Sequence, residues 1–309
     1  MKKLISVLLC FVMLFTLFMP AYASGEPSAT LPFEDSRFFE YGDYSIHYRM
    51  LEAENAKGQI FMIHGFAMSS WCFNELAVRL NKAGYTCVLA DLPDFGYSSR
   101  ETAYTNKLPR EDIMHALMKE LSGDPWYVAG HSMGGYIAIA LAQKYPADVK
   151  NLLLYGTAGN EPDSSALTAV MNNSAFINCM GTVMEAAGRF KPLVRLLMIF
   201  AYGDLAYAMK YDINKISDPY RIRGTGAGAI YSFSMLPGTD FESFAELPPV
   251  LYINGSNDNV IPAADRTKLR TVLPAGSTDY TVEGGAHLFI ENHADETAQV
   301  TLGFLASNP

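Results

Sequence analysis

Short apolar runs alternate with segments of helical spacing along most of this chain. A first pair of alternating runs, 38–41 and 44–51, predicts a hairpin that turns at Gly42-Asp43. The later apolar runs predict strands at 59–63, 85–90, 126–129, 149–155, 249–253 and 278–282. The segments between them predict helices at 71–83, 109–121, 135–142, 263–273 and 293–305. Continuous apolar strands that alternate with helices are typical of an α/β fold with a mostly parallel central sheet flanked by helices.

The alternation stops in the block 156–245. This block instead contains apolar helical stretches rich in Met, Phe and Ala, including 166–190 and 192–209. Strand and helix alternate again after the block. We therefore predict a core made of residues 31–155 and 246–307, with the block inserted between two core strands as a helical cap.

Composition and charge narrow the class of protein. The chain has 309 residues, of which 50% are hydrophobic, so it is long enough for one large domain with an insertion. Its formal net charge is -9, and an acidic surface argues against nucleic acid or anionic lipid as a partner.

Residues 1–23 have the organisation of an export signal. Two lysines precede an uncharged stretch from residue 4 to 19, and Ala21-Tyr22-Ala23 supplies an A-x-A cleavage pattern. The uncharged stretch is short for a membrane span. We expect an exported mature protein that starts near Ser24 and has no stable membrane span, with an uncleaved N-terminal anchor as the alternative.

Three cysteines, Cys72, Cys87 and Cys179, follow the expected leader. Their odd number excludes a fully paired disulfide framework, although one bridge stays open. Small buried hydrophobic side chains are the stronger expectation for all three.

No cofactor or metal is expected. The segment 224–229 matches G-x-G-x-x-A, but the residues before it do not form a buried strand, so a dinucleotide site is not predicted. We expect a flexible or tightly packed part of the cap there. No spacing of His, Cys and carboxylate residues indicates a metal site.

The strongest chemical signal is the G-x-S-x-G motif Gly130-His131-Ser132-Met133-Gly134. The strand predicted before it and the helix predicted after it would place Ser132 on a sharp turn, with its hydroxyl exposed above the sheet. Glycines flank the serine because side chains would collide at so tight a turn. The motif alone is weak, but in this setting it predicts a serine nucleophile.

A serine hydroxyl needs a base within hydrogen-bond reach and a third group that orients the base. Asp258 and His287 each follow a predicted apolar strand. Both would then join the serine at the carboxyl ends of parallel strands, on the rim where ligands bind in open α/β sheets. Asp265 and Asp240 are the alternative acids, and His293 is the alternative base.

An acyl-transfer site also needs hydrogen-bond donors for the developing oxyanion. The backbone N–H of Met133, at the start of a predicted helix, can supply one. Phe66 lies in the loop after the strand at 59–63, and its N–H is the best candidate for the second. His64 and His131 are expected to shape the backbone.

Together these segments resemble the α/β-hydrolase fold family. The matching segments are His64-Gly65-Phe66, 91–98, 130–135, 255–262 and 284–287, and the resemblance covers about 38–306, including the cap. Nucleophile, acid and histidine occur in the family's order. By position, the resemblance implies Ser132 as nucleophile, His287 as general base and then acid, and Asp258 as its partner. It also implies an oxyanion hole formed by Phe66 and Met133.

One residue departs from the family's pattern. Asp94 stands in a loop bordering the expected site, where relatives often carry Gly. We expect its side chain to face water, with an effect on substrate access as the alternative.

The resemblance favours a serine hydrolase that cleaves carboxylic esters through an acyl-enzyme intermediate. A Ser nucleophile disfavours dehalogenase and epoxide-hydrolase chemistry, which uses a carboxylate nucleophile in this family. The apolar cap favours lipophilic acyl groups in a small-molecule ester substrate. The candidate pocket residues are Met171, Phe176, Met180, Met184, Met198 and Phe200.

Three alternatives stay open. A carbon–carbon bond hydrolase of diketone-like acids would use the same triad, with cationic cap residues holding the substrate carboxylate. The available cations are Arg189, Lys191, Arg195, Arg221 and Arg223. The other two are a peptidase or amidase, and a non-catalytic binding protein on the same fold. Acyl chain length, leaving group and oligomeric state are not predicted.

Overall fold

The computed structural model describes residues 31–100, 108–158, 173–234, 236–237 and 243–309. The expected leader, Met171 and Asp240 lie outside these ranges. Within them, no helix has the length and apolar character needed to cross a bilayer. The same ranges contain no cluster of His, Cys, Asp and Glu side chains that could hold a metal ion.

Within the described part of the chain, eight strands form one sheet. The strands are β1 (Ser36–Tyr41), β2 (Tyr44–Leu51), β3 (Gly58–Ile63), β4 (Tyr85–Ala90), β5 (Trp126–His131), β6 (Val149–Tyr155), β7 (Val250–Gly255) and β8 (Thr278–Val282). Their order in the sheet is β1-β2-β4-β3-β5-β6-β7-β8. β1 pairs antiparallel with β2, β2 pairs antiparallel with β4, and the remaining pairs are parallel. The predicted hairpin and the mostly parallel sheet are confirmed.

The central strands are apolar because helices cover both faces of the sheet. The helices are α1 (Asn74–Lys82), α2 (Arg110–Leu121), α3 (Met133–Lys144), α4 (Ser174–Arg189), α5 (Lys191–Tyr202), α6 (Leu205–Lys210), α7 (Asn214–Ser217), α8 (Thr225–Ser234), α9 (Ala263–Thr271), α10 (Phe289–Asn292) and α11 (Ala294–Ser307). Short 3₁₀ helices lie at Ser70–Phe73, Pro146–Asp148, Pro219–Arg221 and Ser243–Glu246. β5 and β7 are buried at every residue, as expected for strands with two covered faces.

Two hydrophobic cores lie on opposite faces of the sheet. Phe61 of β3 belongs to the core that contains Leu117 of α2. Its neighbour Ile60 belongs to the other core, with Leu76 of α1 and Phe304 of α11. Successive side chains of β3 therefore enter different cores, as the pleat of a strand requires.

The helices α4 to α8 lie between β6 and β7, where the sequence predicts a helical insertion. The apolar helical stretch predicted at 192–209 forms two helices, α5 and α6. Gly203 separates them with φ of 61°, a left-handed conformation that commonly ends a helix. Asp204 then caps the N-terminus of α6. Buried side chains of α5, α6 and α7 form a third hydrophobic cluster with Leu288.

The glycine-rich segment 224–229 makes a close contact between two helices. A Cβ atom at Gly226 would lie 2.0 Å from the backbone oxygen of Gly181 in α4. α8 therefore packs with its backbone against α4, so of the two expectations for this segment, flexible or tightly packed, the structure shows the second.

The three described cysteines are free thiols. Cys72 and Cys87 are buried as expected, but the expectation is wrong for Cys179, which is exposed. The buried face of α4 runs through Ile177 and Met180, and position 179 lies outside that face.

Candidate active site

Ser132 lies at the sharp turn between β5 and α3. Its φ is 52° and its ψ is -117°, a conformation that residues other than glycine rarely adopt. A Cβ atom at Gly130 would lie 2.5 Å from the backbone oxygen of Gly134. A Cβ atom at Gly134 would lie 2.1 Å from the backbone oxygen of Ile63. The predicted strand, turn and helix are present. Any side chain at either glycine would overlap with the backbone, so both positions require glycine.

His287 and Asp258 form a buried hydrogen-bonded pair, with Nδ1 of the ring 2.9 Å from Oδ2 of the carboxylate. The other carboxylate oxygen accepts the backbone N–H groups of Val260 at 2.8 Å and Ile261 at 3.0 Å. Burial raises the pKa of Asp258, but the interactions with His287 and the two N–H groups outweigh it and hold the pKa below its usual value. An ionised carboxylate only accepts, so Nδ1 carries the shared proton and Nε2 is the basic nitrogen.

Ser132 and His287 line one cavity, so the serine turn and the histidine of the His–Asp pair meet at its wall. Gly156, the residue after β6, lies beside the pair, because a Cβ atom there would be 3.6 Å from both Asp258 Oδ2 and His287 Nδ1. The structure therefore brings the three predicted residues to one rim of the sheet. Asp265, the described alternative acid, lies in the first turn of α9, and His293 precedes α11.

The loop after β3 passes next to Ser132. A Cβ atom at Gly65 would lie 2.9 Å from His131 Nδ1 and 3.1 Å from Ser132 Cβ. Phe66 follows at once and lines the cavity. Met133 is the first residue of α3, and N–H groups of a first turn have no acceptor inside the helix. The backbones of Phe66 and Met133 thus flank the serine, where two N–H donors can serve an oxyanion.

His131 and His64 connect backbone segments around the site. His131 Nε2 donates to the carbonyl of His287 at 3.0 Å, and burial lowers the pKa of His131 to about 3, so the ring is neutral. His64 Nδ1 donates to the carbonyl of Gly65 at 2.7 Å, and its Nε2 accepts the N–H of Leu92 at 3.1 Å. Burial lowers the pKa of His64 as well. Both histidines hold the site's loops in place, as expected.

An apolar cavity of about 540 Å³ extends from Ser132 and His287 into the inserted helices. Its lining includes Met68, Leu193, Val194, Leu196, Leu197, Ile216, Tyr220, Ile230 and Leu288. Among the described residues, no Lys, Arg, Asp or Glu side chain lines it. Its size and apolar wall suit a small molecule with an extended hydrocarbon part.

The structure places Met180, Met184 and Met198 on the cavity wall. The expectation is wrong for Phe176 and Phe200, which do not line it and are 36% and 47% exposed. Phe176 lies in the first turn of α4, before the part of the helix that reaches the cavity. Phe200 lies one turn after Leu196 and Leu197 on the same face of α5, and the cavity does not reach it.

Asp94 does not face water, so that expectation is wrong. Its side chain is fully buried, and Oδ2 accepts Arg110 Nη2 at 2.6 Å and Ser232 Oγ at 2.9 Å. Its φ is 74°, a backbone conformation that favours glycine. Arg110 belongs to α2 of the core and Ser232 to α8 of the insertion. The hydrogen bond from Ser232 to the buried Asp94–Arg110 ion pair therefore connects the inserted helices to the core.

Glu291, four residues after His287, was not among the residues predicted from the sequence. This carboxyl group is buried beside the hydroxyl groups of Tyr202, at the end of α5, and Tyr211. Burial raises its pKa to about 8, although both hydroxyls oppose the shift. One feature of the sequence could have indicated its burial, since Glu291 directly follows the apolar residues 288–290.

Comparisons with known proteins agree with this architecture. The family model of the alpha/beta hydrolase fold matches residues 59–294. The pimeloyl-[acyl-carrier protein] methyl ester esterase of Xylella fastidiosa (strain 9a5c) is 27% identical over 257 residues, which cover 81% of this chain and 96% of that protein. Lipase 3 of Moraxella sp. (strain TA144) is 36% identical over 135 residues, 41% of this chain and 42% of the lipase. The solved structure of the enol-lactonase from Burkholderia xenovorans LB400 aligns with a TM-score of 0.70 at 16% identity and covers 87% of this chain and 100% of that chain.

Proposed function

The chain belongs to the alpha/beta hydrolase fold family and is a hydrolase, and we propose that it cleaves carboxylic esters of lipophilic acyl groups through an acyl-enzyme intermediate on Ser132. The observation that carries the proposal is the 2.9 Å contact between His287 and Asp258 at the cavity that Ser132 also lines. A nucleophile, a base and an orienting carboxylate are the parts that acyl transfer requires.

Each residue of the site has a defined role in the proposed reaction. Asp258 holds the His287 ring so that Nε2 takes the proton of Ser132 Oγ as this oxygen attacks the ester carbonyl. The backbone N–H groups of Phe66 and Met133 stabilise the oxyanion. His287 then protonates the leaving alcohol, and water repeats the sequence to release the acid and the free serine.

The inserted helices supply the acyl pocket. Met180 and Met184 of α4 and Met198 of α5 form part of the apolar wall. Each CH₂ group of an acyl chain gains about 0.8 kcal/mol on leaving water for such a wall. This arrangement supports the assignment of 156–245 as a cap that covers the site.

Cleavage of carbon–carbon bonds in diketone-like acids is less well supported. Such a substrate needs a cation to hold its carboxylate, and none of the five cationic candidates lines the cavity. Arg189 donates to the carbonyl of Tyr220 and pairs with Glu185. Arg195 donates to the carbonyls of Ala208 and Tyr211. The remaining three, Lys191, Arg221 and Arg223, are exposed.

Labelling with a fluorophosphonate probe tests the nucleophile. Wild type is expected to be labelled, and Ser132→Ala is expected to be unlabelled. Ser307→Ala, at the exposed end of α11, serves as the matched control and should be labelled like wild type. An unlabelled wild type would favour a binding protein, and a labelled Ser132→Ala would assign another nucleophile.

A substrate panel tests the bond that is cleaved. p-Nitrophenyl esters from acetate to decanoate are compared with a diketone acid and an anilide. The apolar cavity predicts that kcat/KM rises with chain length. Turnover of the diketone or the anilide without turnover of the esters would contradict ester hydrolysis.

Export of the protein stays a prediction from residues 1–23. N-terminal sequencing of the protein recovered outside the cytoplasm tests it, with Ser24 expected as the first residue.

A further inference from the structure

Five apolar side chains are exposed on neighbouring turns of α5 and α6. They are Leu196 at 56%, Leu197 at 39%, Phe200 at 47%, Leu205 at 60% and Met209 at 58% exposure, and we call them the apolar patch. Among the described residues, only three other large hydrophobic side chains are comparably exposed, Leu31, Phe38 and Phe176. Single exposed hydrophobic residues are ordinary, but a concentration of this kind marks an interaction surface.

The patch is the outer face of a packed helical hairpin. Arg195 of α5 donates to the carbonyls of Ala208 and of Tyr211, the latter at 2.7 Å, so α6 returns alongside α5. Met198 and Ala208 fill the buried side of the same hairpin. The inner face of the hairpin is already packed. The patch is therefore an outer surface that can contact another apolar surface.

The patch is continuous with the cavity. Leu196 and Leu197 belong to the patch and also line the cavity, so they stand at its rim. An acyl chain that leaves an apolar phase at this rim can reach Ser132 without crossing bulk water. A protein partner seated on the patch would instead cover the entrance. This continuity selects a lipid surface as the occupant.

Charges around the patch fit a phospholipid surface. Exposed Lys191 and Lys210 are the first residue of α5 and the last residue of α6, and Asp204 caps α6 at the turn between the two helices. The inserted block 156–245 holds seven Lys and Arg against eight Asp and Glu, so it is nearly neutral, whereas the whole chain has a net charge of -9. Long basic side chains can reach lipid phosphates while apolar neighbours enter the acyl boundary. The acidic remainder of the chain disfavours strongly anionic membranes.

We propose that the apolar patch docks this protein on the surface of a zwitterionic phospholipid bilayer, with the cavity rim at the lipid boundary. Only the delivery of an acyl ester to Ser132 rests on the proposed function. Docking itself stands on the exposed helical face.

Vesicle binding tests the proposal separately from catalysis. Full-length protein with Ser132→Ala is floated with phosphatidylcholine vesicles, alone and combined with Phe200→Ser and Leu205→Ser. The matched control carries Leu31→Ser and Phe38→Ser, which remove side chains of similar exposure elsewhere on the surface. Partitioning should fall about 30-fold for the patch variant, since two apolar side chains no longer enter the lipid, and less than about twofold for the control.

Activity on a soluble ester checks that the patch variant is folded. Phe200 and Leu205 do not line the cavity, so their replacement should leave p-nitrophenyl butyrate hydrolysis unchanged and lower hydrolysis of an ester held in vesicles. Equal loss of binding in patch and control variants would overturn the proposal. So would an unbound Ser132→Ala protein, or a dimer that the patch variant converts to monomer. Vesicle binding without any ester hydrolysis would refute the proposed function and leave docking standing.

Discussion

Glu291 should make the stability of this hydrolase fall as the pH rises from 5 to 8.5. The residue is 4% exposed, and burial raises its pKa from the usual 4.5 to about 8, against the effect of the hydroxyls of Tyr202 and Tyr211. In the unfolded chain the carboxyl group ionises near its usual pKa, so unfolding releases a proton between the two values. The contribution of the Glu291 carboxyl group to the free energy of unfolding is therefore fully present below pH 4.5 and is lost progressively up to about pH 8. Above pH 8 the free energy does not change further through this group.

The size of the effect follows from the two pKa values. One unit of pKa difference corresponds to about 1.4 kcal/mol, so the window from pH 5 to 8.5 removes about 4 kcal/mol from the free energy of unfolding. The group is buried, so solvent does not screen this contribution. Glu291→Gln removes the titration and keeps the shape of the side chain.

Urea denaturation at several pH values between 5 and 8.5 measures how the free energy of unfolding changes with pH in wild type and in Glu291→Gln. The wild type should lose about 4 kcal/mol more than Glu291→Gln across the window. Glu283→Gln, the same change at an exposed position, is the control and should follow wild type. His131, whose pKa is lowered to about 3, makes stability fall below about pH 6.5 in all three proteins and cancels in the comparison. Parallel curves for wild type and Glu291→Gln would refute the reasoning.

Three further predictions address the site and the packing. Asp258→Asn is expected to lower kcat/KM for p-nitrophenyl butyrate by about 10⁴-fold, since an amide no longer holds the ring in its working tautomer; an unchanged rate would remove Asp258 from the triad. Asp94→Ala leaves the charge of Arg110 buried and unpaired, so urea denaturation should show a loss of about 3–5 kcal/mol, and a loss below about 1 kcal/mol would contradict this. Gly226→Ala should lower Tm because its Cβ meets the backbone of α4, whereas Gly303→Ala, with open space inside α11, should gain up to about 1 kcal/mol; the reverse order would refute the packing argument.

The sequence predicted the features that depend on short stretches of chain. The turn at Ser132 is local, because its two glycines are required by atoms within the turn and by the adjacent strand β3. Asp258 and His287 were predictable although 29 positions separate them, because each follows a strand of one parallel sheet and such strands end at one rim. The rule about strand ends in a parallel sheet was enough to predict the contact between Asp258 and His287.

Helical phase and helix ends were harder to predict. Nothing in the alternation of apolar residues showed that α5 stops at Gly203, since both α5 and α6 are apolar on each side of it. Phe200 was predicted as a pocket residue because it lies in an apolar helical stretch rich in Met, Phe and Ala. Leu196 and Leu197 on the same face of α5 do line the cavity, so only the tertiary structure shows that the cavity does not reach Phe200.

Two of the buried acidic groups that the sequence did not predict, Asp94 and Glu291, lie at the contact between the inserted helices and the core. Asp94 contacts Ser232 of α8, which lies 138 positions later in the sequence. Glu291 lies beside Tyr202 of α5, which is also distant from it in the sequence. Sequence shows the charge, but only the tertiary contact shows that water is excluded from it. The backbone N–H of Leu288, next to His287, donates to the carbonyl of Ala201 at 2.9 Å in this same contact. The inserted helices therefore help to hold the loop of the proposed base, and the part of the fold that was least predictable is the part on which the geometry of the site depends.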